Sequence, residues 1–355
     1  MLKVGIVGLA NVGKSTLFNT LAESEQAEIG NYPFTTIDPN TAIVEVPDKT
    51  LDKLALQLKV LQKIPATIEF VDIAGLIKGA HKGEGLGNQF LDQIRRMDAL
   101  LIILRAFENK AVAFEPLLAP EQLEIIKEEL RQKDRETLCK KTEELRHRAR
   151  TDEKEDFKAQ LLQRMIQAID SKKDLFPLYK KLDKEEKKFI HSLSLLSLKP
   201  YLIVINVSEA EAGKVPESFG LSQAIIISAK TEKELNELDK KEQKEYLAIL
   251  GLEDKALKRI IQEAYKLLDL ITFYTYKPKE LVQAWALKKG SFILQAAAKI
   301  HSDFAKSFIK AEVINASELL KFESLEKAGK KGKIRSKGKN YIVEQGDLIY
   351  IHHGQ

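Results

Sequence analysis

MLKVGIVGLANVGKSTLFNTL, residues 1–21, decides the fold. An apolar run at residues 4–7 ends in GLANVGKST, residues 8–16, and an amphipathic helix is expected near residues 15–22. The pattern is G-x-x-x-x-G-K-[ST] between a short buried strand and a helix, the setting in which that spacing cradles phosphates. Gly8 and Gly13 let the backbone curl closely around a phosphate chain because no Cβ intervenes. The N–H groups of the loop and of the following helix's first turn then form a nest for anionic oxygens. Lys14 suits the β- and γ-phosphates as a point charge, and the Ser15 hydroxyl suits Mg²⁺. A nucleoside triphosphate is the ligand such a loop fits.

Outward from this loop, strands and helices alternate, the pattern of a parallel sheet with helices on both faces. A turn-rich loop, IGNYPFTT (residues 29–36), precedes an expected strand at 41–46 and a helix at 51–61. A second strand at 67–71 ends in Asp72-Ile73-Ala74-Gly75, a glycine-rich stretch runs to Gly87, and 88–97 reads as helix. ALLIIL at 99–104 is apolar throughout, as a central strand covered on both faces must be.

After Glu115 the chain becomes charged and nearly free of Gly and Pro, over 120–150 and again over 157–169. Leu123, Ile126 and Leu130, then Leu161, Leu162, Met165, Ile166 and Ile169, recur at helical spacing. A polar break at 151–156 reverses the direction and predicts an antiparallel helical hairpin. The sheet pattern resumes with strands at 201–205 and 224–227, and a helix over 254–268 leads out of the domain. Beyond residue 271, short strand-like runs at 270–274, 310–313, 341–343 and 348–351 surround one helix near 292–300, a small α+β domain. A lysine-rich segment at 327–339 suits RNA phosphates or simply solvates a loop.

The expected domains are 1–114 with 200–270 for the nucleotide, 115–199 as a helical insertion, and 271–355 at the carboxyl end. The chain has 355 residues, enough for two or three buried cores. No apolar run reaches the ~20 residues of a membrane-spanning helix. The first strand leaves no room for a secretory signal, and Cys139 is the only cysteine, so a reducing cytoplasm fits. The chain is expected to act as a monomer without a membrane partner. Cys139 suits an inert helical position or a redox sensor.

Four further stretches carry chemistry. Asp72, a carboxylate at a strand end, suits Mg²⁺, usually through a water, and the Gly75 N–H suits the γ-phosphate. Thr36 is the candidate second hydroxyl ligand, with Thr35 its rival. Leu76 stands where Ras-like hydrolases carry the Gln that orients water, so turnover is expected to be slow; His81 is either a substitute or a solvated loop histidine. Base recognition is expected at the strand ends of Asn206 and Ser228. There Asn206-Val207-Ser208-Glu209 replaces the guanine motif N-K-x-D: the lysine is absent, and Glu209 is one methylene too long to pair with guanine as Asp does. That favours ATP, with the backbone of Ser228-Ala229-Lys230 closing over the base.

The combination of GLANVGKST, NYPFTTIDPN, DIAGLIKGAHKGEGLGNQFL, NVSE and SAKTEKEL resembles the YchF family of the Obg-related P-loop proteins. The segment from ITFYTYKPKE to GKNYIVEQGDLIYI is similar to that family's TGS domain. The resemblance implies a P-loop α/β domain with a coiled-coil insertion, a carboxyl-terminal β-grasp domain, ATPase activity despite GTPase ancestry, and association with ribosomes. By matching motifs it implies phosphate contacts at Asn11, Val12, Gly13, Lys14, Ser15 and Thr16, and Mg²⁺ contacts at Ser15 and Thr36. It implies base contacts at Asn206, Val207 and Glu209, and assigns Leu76 to the hydrophobic substitution for glutamine. Two departures stand out. The family's usual histidine after the 99–104 strand is replaced within NKAVAF, residues 109–114, which leaves His81 or Lys110 as substitutes. The chain also ends in Ile351-His352-His353-Gly354-Gln355 rather than a phenylalanine-rich tail. A GTPase of the Obg type, and a nucleotide-gated ribosome- or RNA-binding module with incidental hydrolysis, are the rival readings.

Overall fold

The computed structural model describes residues 2–26, 40–73, 86–107, 117–149, 153–212 and 219–354. In chain order its first elements are β1 (Lys3–Gly8), α1 (Lys14–Gln26), β2 (Thr41–Glu45), α2 (Lys49–Leu58), β3 (Gln62–Ile64), β4 (Thr67–Asp72), α3 (Leu86–Arg95) and β5 (Ala99–Arg105). There follow α4 (Ala119–Ala149), α5 (Glu153–Asp170), α6 (Phe176–Lys180), α7 (Lys184–Ser192), β6 (Tyr201–Asn206), β7 (Ile225–Ile227), α8 (Ala229–Glu237), α9 (Lys240–Ile249) and α10 (Ala256–Leu267). The last elements are β8 (Leu270–Lys277), β9 (Leu281–Lys288), α11 (Ile293–Ile300), α12 (Ser302–Lys306), β10 (Phe308–Asn315), α13 (Ala316–Leu319), α14 (Leu325–Lys330), β11 (Arg335–Lys337) and β12 (Asp347–His353). By their contacts these residues form two compact units, Leu2–Ala42 with Phe70–Leu257 and Ile43–Glu69 with Lys258–Gln355.

One sheet has the strand order β2-β4-β1-β5-β6-β7. The β1–β5, β5–β6 and β6–β7 pairs are parallel, with Val7 opposite Ile102 and Arg105 opposite Asn206. Six of the seven β5 residues are buried, which is why its sequence is continuously apolar. Leu100, Ile102 and Leu104 pack with Leu91 and Ile94 of α3 and with Leu123, Ile126 and Leu130 of α4. The expected helical hairpin is present as α4 and α5. Leu138 and Leu145 of α4 share a core with Leu161, Leu162, Met165 and Ile169 of α5. Buried Asp134 of α4 accepts bonds from the N–H groups of Leu196 (2.7 Å) and Ser197 (2.8 Å), fixing the turn that feeds β6.

The other sheet runs β11-β10-β12-β8-β9-β3. The β8–β9 hairpin is antiparallel, β12 lies parallel to β8, and β10 is antiparallel to β12. Ile293, Ala296 and Ala297 of α11 cover Phe273, Val313 and Ile349. Two central parallel strands, one from the first hairpin and one from the end of the chain, with a helix on one face make a β-grasp. The expected strand at 341–343 is not one. Asp347 accepts the Tyr341 hydroxyl (2.8 Å) and the Glu344 N–H (2.9 Å), which turns the chain, and only Ile342 forms a bridge, to Phe292. Strands β3, β9 and β11 were not expected. β3 runs parallel to β9 at the sheet's edge, two hundred residues away in sequence.

Candidate functional site

The loop between β1 and α1 takes the shape its glycines demand. Asn11 (φ 60°) and Gly13 (φ 97°) both lie in the left-handed region, so successive N–H groups turn inward as a phosphate nest requires. A Cβ at Gly8 would stand 2.6 Å from the Ile103 carbonyl oxygen, which closes that position to any other residue. Lys14 is buried and donates to the Leu9 carbonyl at 2.8 Å, across the mouth of the loop. Burial lowers its pKa, opposed by the nearby Asp72 carboxylate. Val12 is buried beneath the loop, and Ser15 and Thr16 open α1 on its exposed side.

Asp72, at the end of β4, is brought against α1. The Ser15 hydroxyl donates to Asp72 Oδ2 at 3.2 Å, while Oδ1 is buried without a hydrogen-bond partner among the described residues. Burial raises the pKa of this carboxyl, and the Ser15 bond and Lys14 charge pull the other way. A hydroxyl and a carboxylate with a free buried oxygen fit a hard divalent cation, and the neighbouring ammonium fits phosphate oxygens.

Asn206 joins two loops. Its Nδ2 donates to the Val12 carbonyl at 3.0 Å, and its Oδ1 accepts from the Ala229 N–H at 3.0 Å. One amide hydrogen and one lone pair are left over for a ligand. Val207 buries its side chain with Ile205 and Ala224 and donates its N–H to Ile227. Glu209 is engaged by a cation, with Oε2 3.1 Å from Lys230 Nζ. Ser228 caps α8, its hydroxyl accepting from the Thr231 N–H and hydroxyl. Ala229 N–H is the donor that Asn206 holds. The strands therefore bring Asn11–Ser15, Asp72, Asn206 and 228–229 into one cluster. Thr36, Thr35, Gly75, Leu76, His81 and Lys110 lie outside the described residues.

Two family models match the chain. One, described as a 50S ribosome-binding GTPase, covers residues 3–144. The other, the carboxyl-terminal domain of the YchF GTPases, described as a protein of unknown function, covers residues 270–353. The "Ribosome-binding ATPase YchF" of Mycoplasma genitalium is 42% identical, with 98% of each chain covered. That of Bacillus subtilis is 39% identical, covering 99% of this chain and 98% of the relative. The solved structure of the Schizosaccharomyces pombe YchF GTPase superposes with a TM-score of 0.88 at 32% identity, over 99% of this chain and 97% of that one. The chain belongs to the YchF family.

Within this YchF chain the structure adds residues that sequence reasoning passed over. The buried Gln122 of α4 bonds both the N–H (2.9 Å) and the carbonyl (2.7 Å) of Arg105, so the root of the helical insertion is tied to the end of β5. The approach of Lys230 to Glu209 was legible only as the third letter of Ser-Ala-Lys. Elsewhere, part of the lysine-rich segment is paired: Lys327 with Glu323, Lys330 with Glu326 at 2.6 Å, and Lys333 with Glu318 at 3.1 Å. His352 Nε2 lies 3.2 Å from Glu312, and the His353 ring stacks on Phe304. No group of three or more His, Cys, Asp or Glu among the described residues could hold a metal. No helix among them is long and apolar enough to cross a membrane.

Proposed function

We propose that this YchF-family chain is an ATP-binding, ATP-hydrolysing switch that works with Mg²⁺ and associates with ribosomes. The observation that carries the reading is the cluster of Lys14, Ser15 and the half-free Asp72 carboxylate at the mouth of the phosphate loop. Lys14 and the loop N–H groups take the β- and γ-phosphates, and Asn11 to Thr16 line them. Ser15 and Thr36, with Asp72 usually through a water, would hold Mg²⁺, which would supply neutralisation of the phosphate charge. Gly75 reports the γ-phosphate through its N–H. With Leu76 in the glutamine position there is no glutamine to orient the attacking water, so intrinsic hydrolysis is slow, and His81 is close enough in sequence to be a candidate to assist.

Adenine is favoured at the base. A guanine site sets an Asp carboxylate against N1–H and the 2-amino group, whereas Glu209 is one methylene longer, the lysine of that motif is replaced by Val207, and the Glu209 Oε2 lies 3.1 Å from Lys230. The names of the bacterial relatives support both the ATPase and the ribosome reading. We assign 1–114 with 200–270 to nucleotide turnover, 115–199 and the lysine-rich segment 327–339 to the ribosome, and 271–355 to a TGS-type domain, in a cytoplasmic monomer. Equilibrium titration with labelled ATP and GTP, each with Mg²⁺, tests the nucleotide; equal or tighter GTP binding overturns the base assignment. Sedimentation with ribosomes and a non-hydrolysable ATP analogue tests the partner. Association that needs nucleotide but not turnover would favour the gated-binding reading, and none at all would remove the ribosome.

A further inference from the structure

Arg105 is the last residue of β5, and its backbone is fixed on both sides by the Gln122 amide. Its register partner is Asn206, whose side chain clamps the phosphate loop to the base loop. Register partners in a parallel pair put their side chains on the same face of the sheet. Leu100, Ile102 and Leu104 point to the α3–α4 core, so alternation sends Arg105 to the opposite face, beside Asn206. Its Nη1 is buried and has no hydrogen-bond partner among the described residues. The guanidinium carbon stands 5.9 Å over the Phe107 ring.

Among the described residues the Phe107 ring is the one group that meets this side chain, and it leaves Nη1 without an acceptor. The end of β5 is capped through the Arg105 backbone, which any residue would provide. A guanidinium never loses its charge, and a desolvated donor left unmet is costly. An arginine placed this way is matched only by an acceptor. The guanine motif supplies its cation from the residue after the asparagine; here that residue, Val207, packs in an apolar cluster. The cation comes instead from the neighbouring strand, on the asparagine's own face.

We propose that Arg105 is a specificity-determining residue for the purine: with the Phe107 ring beside it, its N–H donors meet the base edge of a bound nucleoside triphosphate and favour adenine. The chemistry sets the direction. It does so at N1, where adenine accepts a hydrogen bond and guanine carries a hydrogen that repels a donor. A guanidinium that met guanine O6 and N7 instead would favour GTP, so a larger loss for GTP than for ATP in the variants would overturn the proposal. This inference rests on the nucleotide reading above. The test is titration of the full chain and its Arg105→Ala, Arg105→Met and Arg105→Lys variants with ATP, GTP and inorganic tripolyphosphate, each with Mg²⁺. Arg105→Ala and Arg105→Met are expected to weaken ATP about 10- to 100-fold, the loss of a charge-assisted bond. GTP and tripolyphosphate should stay within about threefold, and Arg105→Lys should recover part of the ATP affinity. Parallel loss for all three ligands would make Arg105 a scaffold residue and overturn the proposal, as would unchanged ATP binding. The methionine variant keeps an unbranched apolar stem should the alanine variant fold poorly. An unmodified chain that binds tripolyphosphate but neither nucleotide would instead overturn the nucleotide reading itself.

Discussion

Gly13 carries two constraints at once. Its φ of 97° is one that side chains with a Cβ rarely adopt, and an added Cβ would meet Asn206 Nδ2 at 2.3 Å. Gly13→Ala therefore both strains the loop and pushes out the amide that joins Val12 to Ala229. The expected result is a loss of about 1–3 kcal/mol of stability in urea unfolding, together with loss of ATP binding in titration. Unchanged affinity would mean that the Asn206 clamp is dispensable. At this scale the phosphate loop was legible because its information is contiguous: two glycines, a lysine and a hydroxyl within nine residues. Asn206 was legible as a strand end, but its double use was not, since both partners come from other loops. Arg105 was silent in the sequence, where it reads as the polar end of an apolar strand. Only the pairing of β5 with β6 puts it beside Asn206.

Among the elements, α2 shows how a local signal and a distant one meet in a single side chain. Asp48 Oδ1 accepts from the N–H groups of Thr50 (2.8 Å) and Leu51 (3.1 Å), an N-cap made with its own near neighbours that the sequence reading of a helix at 51–61 missed. Its Oδ2 accepts the hydroxyl of buried Tyr274 in β8 at 2.7 Å, which no local pattern announces. Burial and this carboxylate raise the tyrosine pKa, so the hydroxyl stays a donor at every physiological pH. Tyr274→Phe is expected to cost about 1–3 kcal/mol, one buried bond to a charged acceptor. Asp48→Ala should cost more, because the cap goes with it. In thermal unfolding the double variant should match Asp48→Ala alone within about 0.5 kcal/mol; additive losses would mean that the two side chains act separately. β3 shows the opposite case: QKI is three residues with no apolar alternation, and it is a strand only because Leu281–Gln283 of β9 lies alongside. β9 itself alternates apolar and polar weakly, through Ala and Gln, which hides its period.

For the whole molecule, chain order and contact order part company. Residues 43–69 follow the phosphate loop in sequence yet belong by contact with 258–355, because β3 pairs with β9 and Asp48 with Tyr274. Nothing local encodes such pairings. The chain passes between the two units within α10, whose first N–H groups are taken by Glu232 of α8: Ala256 N–H donates to Oε1 at 2.6 Å, with Leu257 adding a second backbone bond. Oε2 is buried and has no hydrogen-bond partner among the described residues. Burial, aided by the negative charge of Asp254, lifts this carboxyl from 4.5 to about 7, against the pull of the two backbone bonds and of Lys255. Because the folded state holds the proton more tightly than the unfolded chain, its contribution to stability is complete below the unfolded value near 4.5 and is lost as pH rises through about 7. The chain should thus be more stable at about pH 5.5 than at about pH 8, by roughly 2 kcal/mol from this group alone. Glu232→Gln keeps an acceptor for Ala256 and removes the titration. Urea unfolding at both pH values should show that this part of the pH difference vanishes in the variant while stability at pH 8 is unchanged or raised. A variant with the same pH dependence as the unaltered chain would place the titration elsewhere and leave Glu232 as a cap alone.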